Sequence, residues 1–342
     1  IIYLGSNKLH QSFDKGETWK TISGDLTLGG ELGNVPYGTI TTFDESVFKF
    51  GLIYVGSDDG KLSITKNNGE KWDDISRSLP KQLWVSRVIA SKYKENRVYV
   101  SLNGYRSDNF NPYLYVSDDY GNSWKNISSN LPNSPINVIR EDPVNKNILY
   151  VGSDIVVYIS LNQGESWEAF KSGLTTAAVH DIVIQEKEND LLIGTHGRSI
   201  YKTNLKNIQS LNQEVNTKSF HLFDIKPIKH SKTWGNKQRI WSDFDVPCQD
   251  FELWVSEVGE YEVSIFSNFG SKVFEKTYFF EKGFNKIKYN LRYNLPPKKN
   301  KKIKKNAHYG KDGYYYLTPG NYNIKIKKDD KKYKYSFLVT KN

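Results

Sequence analysis

The sequence predicts an all-β chain, a run of β-propeller blades followed by a smaller immunoglobulin-like β-sandwich. Three observations predict it. A short turn motif recurs four times at blade-sized spacing. The apolar residues are mostly Val, Ile, Tyr, Phe and Trp, the types that suit pleated strands. The charge divides sharply: residues 218–342 hold 26 Lys and Arg against 13 Asp and Glu, leaving 22 against 25 in residues 1–217. At 342 residues the chain exceeds one ordinary domain. The expected division is blades over 1–210, a linker at 211–219 and a sandwich over 220–342.

The turn motif reads Ser12-Phe-Asp14-Lys-Gly16-Glu-Thr18-Trp19, Thr65-Lys-Asn67-Asn-Gly69-Glu-Lys71-Trp72, Ser117-Asp-Asp119-Tyr-Gly121-Asn-Ser123-Trp124 and Ser160-Leu-Asn162-Gln-Gly164-Glu-Ser166-Trp167. The tryptophans are 53, 52 and 43 residues apart. Ahead of each lies an apolar strand motif: Ile2-Tyr3-Leu4-Gly5, Ile53-Tyr54-Val55-Gly56, Val98-Tyr99-Val100-Ser101 and Leu149-Tyr150-Val151-Gly152. A fifth copy, Leu192-Ile193-Gly194, has no tryptophan turn after it. A period of roughly 40–50 residues built of short strands is the signature of a propeller blade.

One unit reads in full. Strands are expected at Ile136–Ile139, Ile148–Gly152, Val156–Ser160 and Trp167–Phe170, with turns at Asp142–Asn147 and at the motif itself. An Asp or Asn at its third position can accept backbone N–H bonds across the turn. The glycine two places on tolerates a positive φ. The tryptophan has the bulk to fill the space between strands or blades. Two of the four copies carry Asn, which has no acid–base chemistry, so these residues are expected to be structural.

The second part shows short strands at Phe220–Ile225, Phe251–Val255, Tyr261–Ser267, Ser271–Phe280, Asn285–Tyr289, Gly320–Lys327 and Lys334–Val339, with glycines at the bends between them. Seven short strands in about 120 residues suggest the sandwich. Within the 296–310 loop, Lys298, Lys299, Lys301, Lys302, Lys304 and Lys305 form a dense positive run. It reads as a solvated loop or as a surface for an anionic polysaccharide, a lipopolysaccharide or an acidic partner. Nucleic acid is not expected, because no base-reading motif accompanies the charge.

Other classes drop out. No apolar run approaches the roughly 18 residues of a membrane span. No phosphate loop and no Cys/His metal spacing occurs, so neither a cofactor nor a metal is expected. The lone Cys248 cannot form an intramolecular disulfide and reads as a small packed hydrophobe. The chain contains no methionine and opens on Ile-Ile-Tyr-Leu-Gly-Ser, which reads as a strand inside a longer protein.

The four turns resemble the Asp-box (BNR) repeats of sialidases, sortilin-type receptors and xyloglucan-type glycosidases. Further stretches are similar to a bacterial sortilin-like family with tandem propellers, often labelled glycosyl hydrolases. These are Tyr37–Thr42, Gly56-Ser-Asp58-Asp59-Gly60, Leu83–Arg87, Gly104-Tyr-Arg106-Ser-Asp108 through Tyr115, Val179-His180-Asp181 and Gly194-Thr-His196-Gly197-Arg198. The resemblance implies four to five blades of a larger, seven-bladed ring, and a secreted or cell-surface protein. The Gly270–Ile287 and Leu317–Tyr322 stretches resemble sandwich modules of bacterial secreted proteins. The Lys- and Asn-rich composition resembles that of a low-GC bacterial lineage such as the Bacteroidetes.

In a four-stranded blade the second-to-third and fourth-to-next-first connections share one face, and the Asp boxes fall on the other. Function is expected on the former face and in the central channel. That selects Asp58, Asp59, Tyr105, Arg106, Asp108, Asp154, His196 and Arg198 as ligand-binding candidates. Asp58 and Asp59 are adjacent on one strand end and so cannot simply converge; Asp-Gly is equally a turn dipeptide. Asn103–Pro112 reads as a long connection suited to sugar or peptide. His196-Gly197-Arg198 reads as an acid–base pair, an anion clamp through Arg198, or a turn. Two readings of function follow. One is a non-catalytic propeller holding a protein or glycan on this face. The other is a glycoside hydrolase or lyase, whose two carboxyl groups must stand about 5–9.5 Å apart; no such pair can be assigned from these residues.

Overall fold

The computed structural model describes residues 1–29, 38–170, 174–211, 219–295 and 308–341. The six lysines from Lys298 to Lys305 and most of the expected linker lie outside the described residues. The chain divides into two compact units, Ile1–Leu211 and Asn212–Asn342.

The first unit is five successive antiparallel sheets, each a meander of consecutive strands, and these are the blades of a β-propeller. Three have four strands: Ile40–Glu45, Ile53–Ser57, Leu62–Thr65 and Asp73–Asp74 in the second blade; Trp84–Ala90, Val98–Gly104, Asn109–Ser117 and Lys125–Asn126 in the third; and Ile136–Glu141, Leu149–Ser153, Val157–Ser160 and Glu168–Phe170 in the fourth. The first blade has Ile2–Gly5, Leu9–Ser12 and Lys20–Thr21, and the fifth has Val179–Gln185, Asp190–Thr195 and Ile200–Asn204. Second strands are buried on both faces, as in Ile53–Ser57 and Leu149–Ser153, which is why they read as unbroken apolar runs.

Two rows of hydrogen bonds join the blades. The outer row uses the box tryptophans. The indole N–H of Trp72 donates to the Ile22 carbonyl at 2.9 Å, that of Trp124 to Ile75 at 3.0 Å, and that of Trp167 to Ile127 at 2.7 Å. Each acceptor belongs to the blade before. The same isoleucines press on the box glycines: a Cβ on Gly121, whose φ is 88°, would sit 2.5 Å from the Ile75 side chain. A side chain there would be both strained and overpacked.

The inner row comes from an irregularity repeated in every complete first strand. The register with the second strand shifts between Ile40 and Thr42, Val85 and Arg87, Ile136 and Val138, and Val179 and Asp181. A β-bulge re-aims the extra residue. Thr41 Oγ1 donates to the Val85 carbonyl at 2.7 Å, Ser86 Oγ to Ile136 at 2.7 Å, and Asn137 Nδ2 to Val179 at 3.2 Å. Each bulged residue therefore caps a carbonyl of the next first strand, at the residue just before that strand's own bulge. Close approach also explains the glycine of the strand motif: a Cβ on Gly56 would lie 2.3 Å from Val85.

The box turns share one geometry. The first-position hydroxyl donates to the Asp or Asn and accepts from the glycine N–H at 2.8–2.9 Å. The carboxylate or amide oxygen accepts the seventh-position N–H at 2.9–3.0 Å. Asp14 and Asn67 fill this role alike, because only an acceptor is needed.

The second unit has two sheets facing across one core. A five-stranded sheet runs Ile228–Lys229, Lys331–Thr340, Gly320–Lys328, Gly259–Ser267 and Lys272–Phe280; a three-stranded sheet runs Phe220–Leu222, Gln249–Val255 and Gly283–Tyr289. Phe251 and Tyr289 from one sheet meet Phe337 and Phe274 from the other, and Tyr322 stacks on Phe337 beside them. Cys248 is exposed, so the packed-hydrophobe reading is corrected: it precedes the strand at Gln249 in an open loop, where burial is not available.

Candidate functional site

The candidate residues fall at the ends of second strands, and the structure separates them into different roles. Asp58 and Asp59 follow the strand Ile53–Ser57 in a turn closed by Gly60, whose φ is 92°. Asp59 is buried, with Oδ1 accepting from Ser57 Oγ at 2.5 Å and Oδ2 from the Leu28 N–H at 2.7 Å. Its carboxylate fastens the turn to the link from the blade before. Asp58 accepts the Thr39 N–H at 2.7 Å through Oδ1, and its Oδ2 stands 3.9 Å from Arg106 Nη1. The two carboxylates diverge.

Arg106 lies on a single 3-10 turn, Tyr105–Ser107, ended by Asp108 in the left-handed region. The expected long connection over Asn103–Pro112 is mostly strand. Strands Val98–Gly104 and Asn109–Ser117 pair up to Gly104–Asn109, and the register slips between Asn109 and Tyr113. The polar Asn and Pro residues that read as loop are a bulge in a nine-residue strand. The Arg106 guanidinium lies 4.9 Å from the centre of the Trp84 ring, a cation–π contact. The Trp84 indole N–H has no hydrogen-bond partner among the described residues. Beside it, Tyr105 is 60% exposed and meets Phe110, 46% exposed, edge to face at 6.1 Å.

An amide relay supports this face across two blades. Asn103 Oδ1 accepts the Tyr105 N–H at 2.8 Å, and Asn103 Nδ2 donates to Asn137 Oδ1 at 2.7 Å. Asn137 Nδ2 in turn donates to Asp154 Oδ1 at 2.7 Å. Asp154 thus anchors the relay with one oxygen. In the fifth blade, Thr195 and Ser199 close a hairpin around His196-Gly197-Arg198, with Thr195 Oγ1 donating to the Ser199 carbonyl at 2.6 Å. The His196 ring rests 5.4 Å from that of His180, and Arg198 is exposed.

The first strands carry a charge cluster that joins three blades. Arg87 and Asp181 occupy the same rung of the third and fifth first strands, and Asp44 and Arg140 the same rung of the second and fourth. Asp181 Oδ1 accepts from Arg87 Nη2 at 2.9 Å and from Arg140 Nη2 at 3.1 Å, bridging residues 94 and 41 positions apart. Arg140 Nε also donates to the Ile182 carbonyl at 2.7 Å. Burial, then the neighbouring Arg87 charge, pulls Arg140 down to about 10. Burial pushes Asp44 up to about 6, against the Ala90 N–H it accepts and the Arg140 charge. The available signal was a charged residue at the same rung of alternate first strands, Arg87 and Asp181 on one rung and Asp44 and Arg140 on the other.

The second-strand ends carry exposed Tyr105 and Phe110, exposed Arg106 and Arg198, and the carboxylates of Asp58, Asp108 and Asp154, while the first strands carry the guanidiniums of Arg87 and Arg140. Such a surface can bind aromatic, polar or anionic groups. Among the described residues, no group of three or more His, Cys, Asp or Glu could hold a metal, and no helix is long and apolar enough to cross a membrane.

Comparison with known proteins gives matches of three kinds. The family model described as sortilin, neurotensin receptor 3 (Sortilin-Vps10) matches residues 112–243. The vacuolar protein sorting/targeting protein 10 of Arthroderma gypseum is 23% identical over 213 residues, which is 58% of this chain and 13% of that protein. Among solved structures, the GH74 xyloglucanase of Xanthomonas campestris aligns with a TM-score of 0.45 and 12% identity, over 59% of this chain and 34% of the other. An ancestral GH74 enzyme aligns with a TM-score of 0.44 and 15% identity, over 94% and 42%. The chain therefore spans a small part of its curated relative, and the two sequence matches support a sortilin-like β-propeller.

Proposed function

We propose that the blades form a non-catalytic binding module of a secreted or cell-surface protein, holding a protein or glycan ligand on the face around Arg106. The observation that carries this reading is the Arg106–Trp84 stack beside exposed Tyr105 and Phe110, held by the Asn103–Asn137 relay. Aromatic and arginine side chains on a braced face are the usual anchors of binding surfaces. The similarity to a sorting protein favours a protein ligand. Catalysis by paired carboxylates is disfavoured because Asp59 spends both oxygens inside the fold and Asp58 turns toward Arg106.

The test is to screen the full chain against peptide and glycan arrays, and to incubate it with labelled oligosaccharides. Saturable binding without turnover, weakened by Arg106→Ala, is the expected result. Hydrolysis lost on Asp58→Asn would replace this reading with the glycosidase one.

A further inference from the structure

The outward face of the five-stranded sheet in the second unit carries a cluster of exposed lysines. Along Gly320–Lys328 the buried Ile324 and Ile326 alternate with exposed Lys325 and Lys327. On the neighbouring strand Lys332 and Lys334 are exposed in the same way. The register sets Lys325 directly opposite Lys334, and Lys327 directly opposite Lys332. Side chains so paired stand about 4.5–5.5 Å apart at Cβ, and like charges there are destabilising. None of the four makes an ion pair within the described residues. Their neighbours Lys328 and Lys331 are both neutralised by Glu257. Glu262, directly opposite Lys327, offsets part of this repulsion, whereas Lys325 has Ser264 opposite it, so the Lys325–Lys334 pair is a cost to folding that an external anion removes.

The lysines border a groove of about 380 Å³, floored by Ser264 and Phe266 and edged by Glu262. Lys325 stands 4.4 Å and Lys272 5.9 Å from the centre of the Phe266 ring. That ring face is covered, so it offers no platform for stacking bases. All the cations are lysines, which act as point charges and not as bidentate forks. Glu262 faces Lys327 across the strands and would repel an all-acidic peptide. A ligand that carries hydroxyl donors as well as anions satisfies both Glu262 and the lysines.

We propose that this groove binds an anionic polysaccharide, with Lys325, Lys327, Lys332 and Lys334 on its carboxylate or sulfate groups and Glu262 on its hydroxyls. The test is titration of the full chain with polygalacturonate and dextran sulfate, with neutral dextran, poly-glutamate and single-stranded DNA as comparisons. The combined variant K325Q, K327Q, K332Q and K334Q should bind polygalacturonate at least about tenfold more weakly. It should also melt at an unchanged or higher temperature, which separates lost binding from lost folding. Glu262→Ala should weaken polygalacturonate binding although it adds net positive charge. The proposal is overturned if the fourfold variant binds as the parent does, or if Glu262→Ala tightens binding. Equal affinity for poly-glutamate or DNA at matched charge also overturns it.

Discussion

Replacing Trp167 by Phe should cost far more stability than the same change at Trp19, although both occupy the last position of the same motif. Trp167 is 2% exposed, and its indole N–H reaches back to the Ile127 carbonyl of the blade before at 2.7 Å. Phe keeps an aromatic ring but strands that buried carbonyl, at about 1–3 kcal/mol. The smaller ring adds roughly 1 kcal/mol of lost burial. Trp19 is 42% exposed, and its indole makes no hydrogen bond within the described residues. A surface change of that kind stays within about 0.5 kcal/mol. In a unit of this size 1 kcal/mol corresponds to about 2–4 °C. Scanning calorimetry of the full chain should therefore show the propeller transition falling by roughly 4–16 °C for Trp167→Phe and by about 2 °C or less for Trp19→Phe. Equal falls would refute the claim that the box tryptophans fasten neighbouring blades.

Three further outcomes follow from the same geometry. Ser86→Ala removes the buried donor to the Ile136 carbonyl of the next first strand and should cost about 1–3 kcal/mol in urea unfolding; a neutral result would show that the inner row is not needed. Gly121→Ala combines a positive φ with a Cβ pressed on Ile75, and should cost roughly 2–4 kcal/mol, measurable in the same melts. Asp44 has a folded pKa of about 6, above its ordinary 3.8, so the folded state holds this proton more tightly. Stability from this group rises as pH falls from 6 to 4 and is lost above 6. Asp44→Asn should therefore stabilise the unit at pH 7.5, by up to roughly 3 kcal/mol, and by little at pH 4. A variant-to-parent difference that is the same at both pH values would contradict it.

The blades were legible in the sequence because their signals are local. Within a box the hydrogen bonds span two to four residues, as from Ser117 to Asp119 and from Ser123 to Asp119, so the residues that make the turn stand together in the chain. The strand-motif glycine was legible as a repeat but not as a cause: its reason is Val85 of the next blade, 29 residues after Gly56. The first-strand charge cluster was beyond reach for the same reason on a larger scale. Arg87 and Asp181 meet only because a whole blade lies between them, and no spacing rule connects two such residues. The loop face was legible as a list of positions. Which of two adjacent carboxylates would face Arg106 depended on the Leu28 N–H capturing Asp59, a contact made by a segment 31 residues away. Asn103–Pro112 misled because Asn, Gly and Pro mark turns and bulges alike.

The most direct test of the binding face is a comparison of two arginine- or lysine-to-alanine variants against whatever ligand the arrays return. Titration calorimetry with the full chain should show Arg106→Ala weakening that ligand by at least about tenfold, or 1.4 kcal/mol. Lys15→Ala, in a box turn on the opposite face, should leave the affinity within about twofold. Equal affinities for parent and Arg106→Ala, or a larger loss at Lys15, would contradict the account.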